Sequence, residues 1–165
     1  MTAVRPATDA DLQHLPQLES AADEVFAQLG ITGLPPAADI DDFRAADAVL
    51  VAGDPPVGFA RIDLIAGEPY LSQLSVHPSA MRRGLGSALL EASVAWAQQH
   101  GHDSLALATF RDVAWNAPFY AQHGFVEVDA DTPALRAVAR HEDELGIAKF
   151  GARVLMRRAF VPFSG

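Results

Sequence analysis

Residues 70–90 read YLSQLSVHPSAMRRGLGSALL and decide the fold class of this chain. An apolar strand, Tyr70 to Val76, leads into a turn with two arginines and two glycines, and an amphipathic helix follows at once. Glycines let the backbone come close to a ligand, and the first N–H groups of a helix have no intrahelical acceptor. The helix dipole and the two arginines add positive potential at this point. The segment therefore predicts a loop that binds a phosphate group.

The composition limits the classes of protein to which the chain can belong. Its 165 residues are 50% hydrophobic and carry a net charge of -9, which predicts one acidic globular domain over residues 1–165. An acidic surface repels nucleic acid and anionic membranes, so neither is an expected partner, and it suits an amine-bearing substrate. Because the chain has no cysteine, it has no disulfide, no thiolate metal site and no route through an acyl-cysteine.

The N-terminal residues, the C-terminal residues and the hydropathy of the chain bear on its cellular location and oligomeric state. No signal-like segment precedes Val4 and no apolar run approaches the length of a membrane span, so a cytoplasmic protein is expected. No spacing of histidines or carboxylates suggests a metal, and none is predicted. Phe160, Val161 and Phe163 fit either a dimer contact or a cover for the core, which keeps a homodimer open.

The first half of the chain predicts an edge strand, two helices and a meander. Val4–Pro6 ends the edge strand, and Thr8 with Asp11 forms a capping-box variant that starts a helix running to about Leu29. A second, shorter helix is predicted over residues 37–46. The three strands of the meander are predicted over residues 48–52, 57–65 and 70–76.

The second half predicts alternating helices and strands. Leu85, Leu89, Ala92 and Trp96 form a helical stripe that should pack on the sheet. The elements that follow are a buried strand over 105–109, a helix over 116–123 that ends before Gly124, a strand over 125–128, a helix over 132–145 with Thr132 as N-cap, and a last strand over 152–160.

This order of elements resembles the GNAT family of acyl-CoA-dependent N-acetyltransferases. Four segments carry the resemblance: residues 4–12, the meander, LSVHP at 74–78 with RRGLGS at 82–87, and NAPFYAQHGF at 116–125. The resemblance implies an α/β (α+β) fold with a central mixed, mostly antiparallel sheet of about six to seven strands flanked by about four to five helices. It also implies acetyl-CoA as the co-substrate and a primary amine, expected to be a small molecule, as the acceptor. Direct attack in a ternary complex is favoured because no cysteine can carry the acyl group.

Carried over by position, the family's usage gives each motif residue a role. Leu74, Ser75 and Val76 would present backbone groups to the pantetheine arm, with the Leu74 N–H donating to the thioester carbonyl. The pyrophosphate would be held by the loop amides of Arg82, Arg83, Gly84, Leu85, Gly86 and Ser87. Asn116 would cap its helix or bind the pantetheine, and Phe119 is also expected to contribute to cofactor binding. Tyr120 would be the general acid that protonates the departing CoA thiolate.

Two positions depart from the family's pattern. Met81 stands where the loop usually has Gln or Arg, which implies weaker CoA binding unless Arg82 or Arg83 supplies the contact. Gln73 stands where many relatives have a glutamate base, and its amide cannot take a proton. The candidates for the base are therefore Glu68, Asp63, His141, Glu142 or water.

The acceptor and two other functions stay open on the sequence alone. The regions that form the acceptor site in this fold contain carboxylates beside aromatic side chains, which suits a cationic amine. They are Glu19, Asp23, Glu24, Phe26, Trp115 and the segment 132–149. One alternative is a non-catalytic acyl-CoA-binding or regulatory module on the same fold. The other is an enzyme that acetylates a protein N-terminus or a lysine.

Overall fold

The structure is a computed structural model that describes residues 3–161. In that part of the chain seven strands form one sheet in the order β1-β2-β3-β4-β5-β7-β6. The strands are β1 (Val4–Pro6), β2 (Ala48–Ala52), β3 (Gly58–Ile65), β4 (Glu68–Val76), β5 (Ser104–Phe110), β6 (Val126–Val128) and β7 (Arg153–Ala159). The helices are α1 (Asp9–Leu12), α2 (Leu15–Ala27), α3 (Ile40–Ala45), α4 (Leu85–Gln99), α5 (Ala117–Gln122) and α6 (Pro133–Leu145), with 3-10 turns at Pro78–Ala80 and Ile147–Phe150.

The strand pairing confirms the mixed, mostly antiparallel sheet. Tyr70 of β4 is in register with Ala106 of β5, and these two strands run parallel. The pairs β1–β2, β2–β3, β5–β7 and β6–β7 are antiparallel. β7 comes last in the described chain but lies between β5 and β6, so β6 forms an edge and leaves Val126 61% exposed.

The backbone divides into two compact units. One contains the residues up to 63 together with residues 72–93, and the other contains residues 64–71 together with the chain from 94 onward. In the first unit α1, α2 and α3 share a core with β2 and β3, formed by Leu12, Leu15, Leu18, Phe43, Val51 and Phe59. In the second unit the buried side chains include Leu105, Leu107, Phe125, Leu135 and Met156.

The first predicted helix is interrupted, which corrects the expectation of one helix to about Leu29. Thr8 and Asp11 form the expected capping box, but α1 ends at Leu12 and α2 begins at Leu15. Pro16 has no N–H to donate to the carbonyl of Leu12, so the two segments cannot form one continuous helix. The next helix, α3, is shorter than residues 37–46 because a second capping box, made by Asp39 and Asp42, starts it at Ile40.

The buried face of α4 is rotated away from the predicted stripe. Leu85 and Leu89 are buried as expected, whereas Ala92 and Trp96 are only half-buried. The rest of the buried face is formed by Leu90, Ser93, Val94 and Ala97. The helix carries apolar residues around most of its circumference, so sequence spacing does not specify which side faces the core. Over residues 3–161 no helix is long and apolar enough to cross a membrane.

Candidate functional site

The glycine loop joins β4 to α4 through the 3-10 turn Pro78–Ala80. His77 caps this turn, since its Nδ1 accepts from the Ser79 N–H at 3.1 Å. Beyond it Arg82 and Gly84 both have left-handed backbones, with φ of +65° and +76°. The side chains of Arg82 and Arg83 are exposed, while Leu85 is buried and anchors the first turn of α4. The predicted loop residues therefore form one turn at a helix N-terminus, where backbone N–H groups and cationic side chains favour an anion.

The last residues of β4 lie directly before this loop. Ser75 is 2% exposed, and its hydroxyl accepts from the Gln73 side-chain amide at 2.8 Å. Leu74 and Val76 are half-buried. The Gln73 amide is therefore hydrogen-bonded to a neighbouring side chain of the same strand.

Gly58 of β3 is a further residue of this region that the sequence did not single out. A Cβ on it would stand 3.0 Å from the Leu89 side chain and 3.2 Å from the Ser75 carbonyl oxygen. The glycine thus allows β3, the end of β4 and the start of α4 to approach closely. No sequence pattern marked this position, because the crowding comes from residues that are remote in the chain.

Gly58→Ala is expected to weaken acetyl-CoA binding and to lower stability by about 1–3 kcal/mol, because the added methyl group must displace a backbone carbonyl and a buried leucine. Calorimetric titration and thermal unfolding would measure the two effects. Gly67→Ala is not a suitable control because its φ is +79°. Ala88→Gly, in the half-buried first turns of α4, reports the cost of a backbone change without added volume. Unchanged binding and stability in Gly58→Ala would show that the close approach is dispensable.

Asn116 does not cap α5 with its side chain, which corrects one of its two expected roles. Its Oδ1 accepts from the Thr109 hydroxyl at 2.6 Å and from the Phe110 N–H at 3.5 Å, and it makes no cap hydrogen bond. The carbonyl oxygen of Asn116 accepts from the Tyr120 N–H at 3.0 Å. The residue thus connects the end of β5 to the helix that carries Tyr120.

Tyr120 lies on α5 among aromatic side chains. Its ring packs edge-on against Phe119 at 5.3 Å and Phe125 at 5.9 Å between centroids. Burial raises the pKa of the phenol above its ordinary value of 10.0, and the nearby charge of Arg153 acts in the opposite direction. The hydroxyl has no hydrogen-bond partner among residues 3–161. Every wholly buried side-chain oxygen in those residues does have a partner, so the Tyr120 hydroxyl is not wholly buried. The proton therefore stays on the phenol at neutral pH, and the hydroxyl keeps contact with solvent.

An unforeseen polar cluster surrounds the two tyrosines of the chain. Arg153 holds Glu142 through two bonds, Nε to Oε1 at 3.0 Å and a terminal nitrogen to Oε2 at 2.6 Å. Burial raises the pKa of Tyr70, and the negative charge of Glu142 adds to this effect. Both Glu142 and Arg153 also line an open cavity of about 640 Å³ between β6, α6 and β7. The cluster brings together residues of β4, α5, α6 and β7, so no local pattern predicted it.

The candidates for the base occupy different environments. Asp63 accepts from Arg61 Nε at 3.0 Å and from the Ser72 hydroxyl. Glu142 is held by Arg153, and His141 is exposed on α6, 3.9 Å from Glu144. Glu68 is half-buried at the start of β4. None of these contacts selects one of the candidates as the base.

The acceptor residues predicted on α2 separate into two groups. Glu19 is 8% exposed and Asp23 is half-buried, whereas Glu24 is exposed. Burial and the charge of Asp23 raise the pKa of Glu19 to about 7, and burial raises the pKa of Asp23 to about 6. Phe26 and Trp115 are half-buried, and the segment 132–149 contains α6 and the second 3-10 turn. In the described part of the chain, no cluster of three or more His, Asp or Glu side chains is arranged to hold a metal ion.

Comparison with known proteins gives a family match over most of the chain. The sequence model of the acetyltransferase (GNAT) family matches residues 16–125, which include the meander, the glycine loop, α4, Asn116 and Tyr120. The matched region ends at Phe125, so it excludes α6 and β7.

Solved structures share the fold at low sequence identity. The Rv2747 protein of Mycobacterium tuberculosis, solved with CoA, is 18% identical with a TM-score of 0.68 and covers 96% of this chain and 99% of its own. The N-acetylglutamate synthase of Neisseria gonorrhoeae, solved with coenzyme A and N-acetyl-glutamate, is 18% identical with a TM-score of 0.71, over 98% of this chain and 36% of its own. The ribosomal-protein-S18-alanine N-acetyltransferase of Escherichia coli is 18% identical with a TM-score of 0.65, over 100% of this chain and 98% of its own.

Proposed function

This chain belongs to the acetyltransferase (GNAT) family, and we propose that it transfers an acetyl group from acetyl-CoA to a primary amine by direct attack in a ternary complex. The observation that carries the proposal is the turn at Arg82–Gly84 in front of α4, with two exposed arginines and a helix N-terminus directly after the strand that ends at Val76. This arrangement suits the pyrophosphate of an acyl-CoA. A chain without cysteine has no acyl-cysteine intermediate, which favours direct transfer.

Each motif residue has one task in the proposed reaction. Arg82, Arg83, Gly84, Leu85, Gly86 and Ser87 hold the pyrophosphate through the loop. The backbone of Leu74, Ser75 and Val76 binds the pantetheine arm, and the Leu74 N–H stabilises the negative charge on the thioester oxygen. Asn116 and Phe119 contribute to the binding of the cofactor, and Tyr120 gives its proton to the CoA sulfur when the C–S bond breaks. Catalysis then depends mainly on the orientation of two bound substrates.

The acceptor is proposed to be a small cationic amine. Glu19 and Asp23 on α2 are the described acidic residues that support this choice, because both are withdrawn from water. The solved proteins of the same fold include an N-acetylglutamate synthase and a ribosomal-protein-S18-alanine N-acetyltransferase. The fold therefore accommodates small and protein acceptors alike, and acetylation of a protein N-terminus or lysine is the second candidate.

The other parts of the proposal follow from composition and from the C-terminal residues. We place the enzyme in the cytoplasm, without a metal, and without nucleic acid or membrane as partners. A homodimer is supported by Val161, an apolar residue that is 88% exposed, next to the half-buried Phe160. Phe163, the third residue of that group, lies outside the described residues. Sedimentation analysis of the wild type and Val161→Ser would test the dimer.

Calorimetric titration with acetyl-CoA, with free CoA as a comparison, is the first test. Micromolar binding supports the loop assignment and justifies a screen of small amines and peptides by release of the CoA thiol. Binding without thiol release from any amine would favour a non-catalytic acyl-CoA-binding module. Absence of binding would indicate that the loop with Met81 does not bind acyl-CoA, and it would contradict the assignment as an enzyme.

Arg83→Ala is expected to weaken the binding of acetyl-CoA about tenfold, since one charge-assisted bond to phosphate is lost. Calorimetry on the wild type and the variant measures the change. Arg140→Ala, which removes an exposed arginine from α6, is the matched control and should bind as the wild type does. Equal affinity in Arg83→Ala would show that Arg82 and the loop amides suffice.

A further inference from the structure

Two neighbouring carboxylates of α2 are withdrawn from water. Glu19 and Asp23 are four residues apart and lie on one face of the helix, with Glu19 8% exposed. Over residues 3–161 neither carboxylate forms an ion pair. Burial of unpaired charge opposes folding. Such an arrangement is typical of a site that uses its charge on a ligand.

The two oxygens of Glu19 have different surroundings. Oε2 accepts a hydrogen bond from the Ala38 N–H at 3.3 Å, which ties the carboxylate to the segment before α3. Oε1 accepts no hydrogen bond from the described residues. Because no wholly buried side-chain oxygen in that part of the chain lacks a partner, Oε1 keeps contact with solvent. One oxygen is held by the protein and the other is open to a ligand.

The charges around Glu19 come from three elements. Asp23 on α2 and Asp42 on α3 repel its negative form, whereas Arg61 on β3 and the Ala38 N–H favour it. Burial exceeds these effects, and the pKa of Glu19 is raised from 4.5 to about 7. A carboxylate with such a pKa exchanges a proton near neutral pH, as a general base requires.

Arg61 acts on Glu19 through its charge alone, and hydrogen bonds lead from Arg61 to the strand that ends at the acyl-binding residues. Arg61, whose charge acts on Glu19, donates to Asp63 at 3.0 Å, and Asp63 accepts from the hydroxyl of Ser72. Ser72 precedes Gln73 and Leu74 on β4. The same helix, α2, packs against the turn Pro78–Ala80 at the other end of the segment. These residues all belong to the first compact unit.

We propose that Glu19 is the catalytic base of the acetyl transfer and that Glu19 with Asp23 binds the acceptor as a cationic amine. The inference rests on the proposed function and supplies the base that Gln73 cannot be. The reacting ammonium group first loses a proton to solvent, and its neutral nitrogen then attacks the thioester carbon, so that the C–N bond forms as the C–S bond breaks. Oε1 of Glu19 takes the proton that the nitrogen loses, and Tyr120 gives its proton to the sulfur. Solvent then returns a proton from Glu19 to the phenolate of Tyr120.

The same pair determines which amines are accepted. An acceptor with a second ammonium group is attracted to Asp23, whereas an acceptor with a carboxylate in place of that second ammonium group is repelled. In a thiol-release assay at saturating acetyl-CoA, 1,4-diaminobutane is therefore expected to react faster than 4-aminobutyrate. Asp23→Asn should reduce this preference, and a preference for 4-aminobutyrate in the wild type would contradict cation binding.

Glu19→Gln is the decisive variant because its amide oxygen still accepts the Ala38 N–H while the base is lost. We expect kcat/KM for 1,4-diaminobutane to fall about 10²-fold, and the rise of the wild-type rate around pH 7 to disappear. Asp23→Asn should move that rise to lower pH, since removal of a like charge favours the anion of Glu19. Glu127→Gln makes the same charge change at an exposed glutamate of β6 and should keep the wild-type pH profile.

The possible failures can be told apart. A wild type that fails to bind acetyl-CoA overturns the proposed function itself. Normal acetyl-CoA binding with no acetylation of any cationic amine, or normal turnover in Glu19→Gln, overturns only the inference about Glu19. Equal losses in Glu127→Gln and Glu19→Gln would also overturn it, because the effect would then be one of net charge.

Thermal unfolding gives a readout of Glu19 that does not depend on a substrate. Since the folded pKa, about 7, lies above the ordinary 4.5, the stability linked to this group is present below pH 4.5 and is lost as the pH rises through 7. Glu19→Gln is therefore expected to raise the melting temperature at pH 8 by about 4 °C, and to have little effect near pH 4.5. A variant that melts lower than the wild type at pH 8 would contradict the unpaired, buried state of the carboxylate.

Discussion

Tyr120→Phe will lower kcat about 10²-fold while the affinity for acetyl-CoA stays nearly unchanged. The substitution removes only the hydroxyl, so the packing of the ring against Phe119 and Phe125 remains. What is lost is the proton for the departing CoA thiolate. Steady-state kinetics with an accepted amine and calorimetry with acetyl-CoA measure the two quantities separately.

The raised pKa of Tyr120 adds a pH criterion to this prediction. Its phenol loses the proton only above the ordinary value of 10.0, so the wild-type rate should show no decline due to this group below about pH 10. Tyr70→Phe removes the other phenol of the chain and should retain most of the turnover. Unchanged kcat in Tyr120→Phe, or an equal loss in Tyr70→Phe, would show that Tyr120 is not the general acid.

Arg153→Met is expected to destabilise the protein by about 3 kcal/mol, which corresponds to a fall of about 10 °C in melting temperature. Arg153 and Glu142 bond to each other twice, and their side chains are only 19% and 16% exposed. The guanidinium also lies 4.5 Å above the ring of Phe110. Without it, a largely buried carboxylate stands unpaired beside the phenol of Tyr70. Thermal unfolding of the variant measures the loss.

Two further variants separate the ion pair from other effects of the substitution. Glu142→Gln combined with Arg153→Met removes both charges, so it should recover part of the stability that the single variant loses. Arg157→Met, on the same strand, breaks a pair with Asp131, which is 49% exposed, and should cost less. A double variant as unstable as Arg153→Met alone would show that the packing of the arginine, rather than its charge, stabilises this region.

Local sequence signals predicted the elements that depend on neighbouring residues. The capping box of Thr8 and Asp11, the N-cap Thr132 with Pro133 behind it, and the left-handed Gly124 after α5 all stand as the sequence indicates. The strand Ala48–Ala52 has the predicted bounds. These features involve hydrogen bonds and backbone angles within a few residues, so their information is contained in short segments.

Errors arose where a local pattern competed with another constraint. Spacing of leucines suggested one long first helix, but the missing N–H of Pro16 divides it. Asn116 has the residue type of an N-cap, yet its side chain bonds to Thr109 of β5. The choice of partner for that amide depends on where β5 ends, which the segment around Asn116 does not encode.

The sequence by itself determined the fold class, the family motifs and the residue types available for acyl transfer, because repeating apolar positions and short motifs are local properties. Only the tertiary structure decided which charges are buried and what surrounds them. It left Glu19 with one open oxygen, paired Glu142 with Arg153, and required a glycine at position 58. These properties depend on contacts between residues that are distant in the chain. Burial and close packing exist only once the strands and helices have assembled, and they set both the pKa of a carboxylate and the space for a side chain.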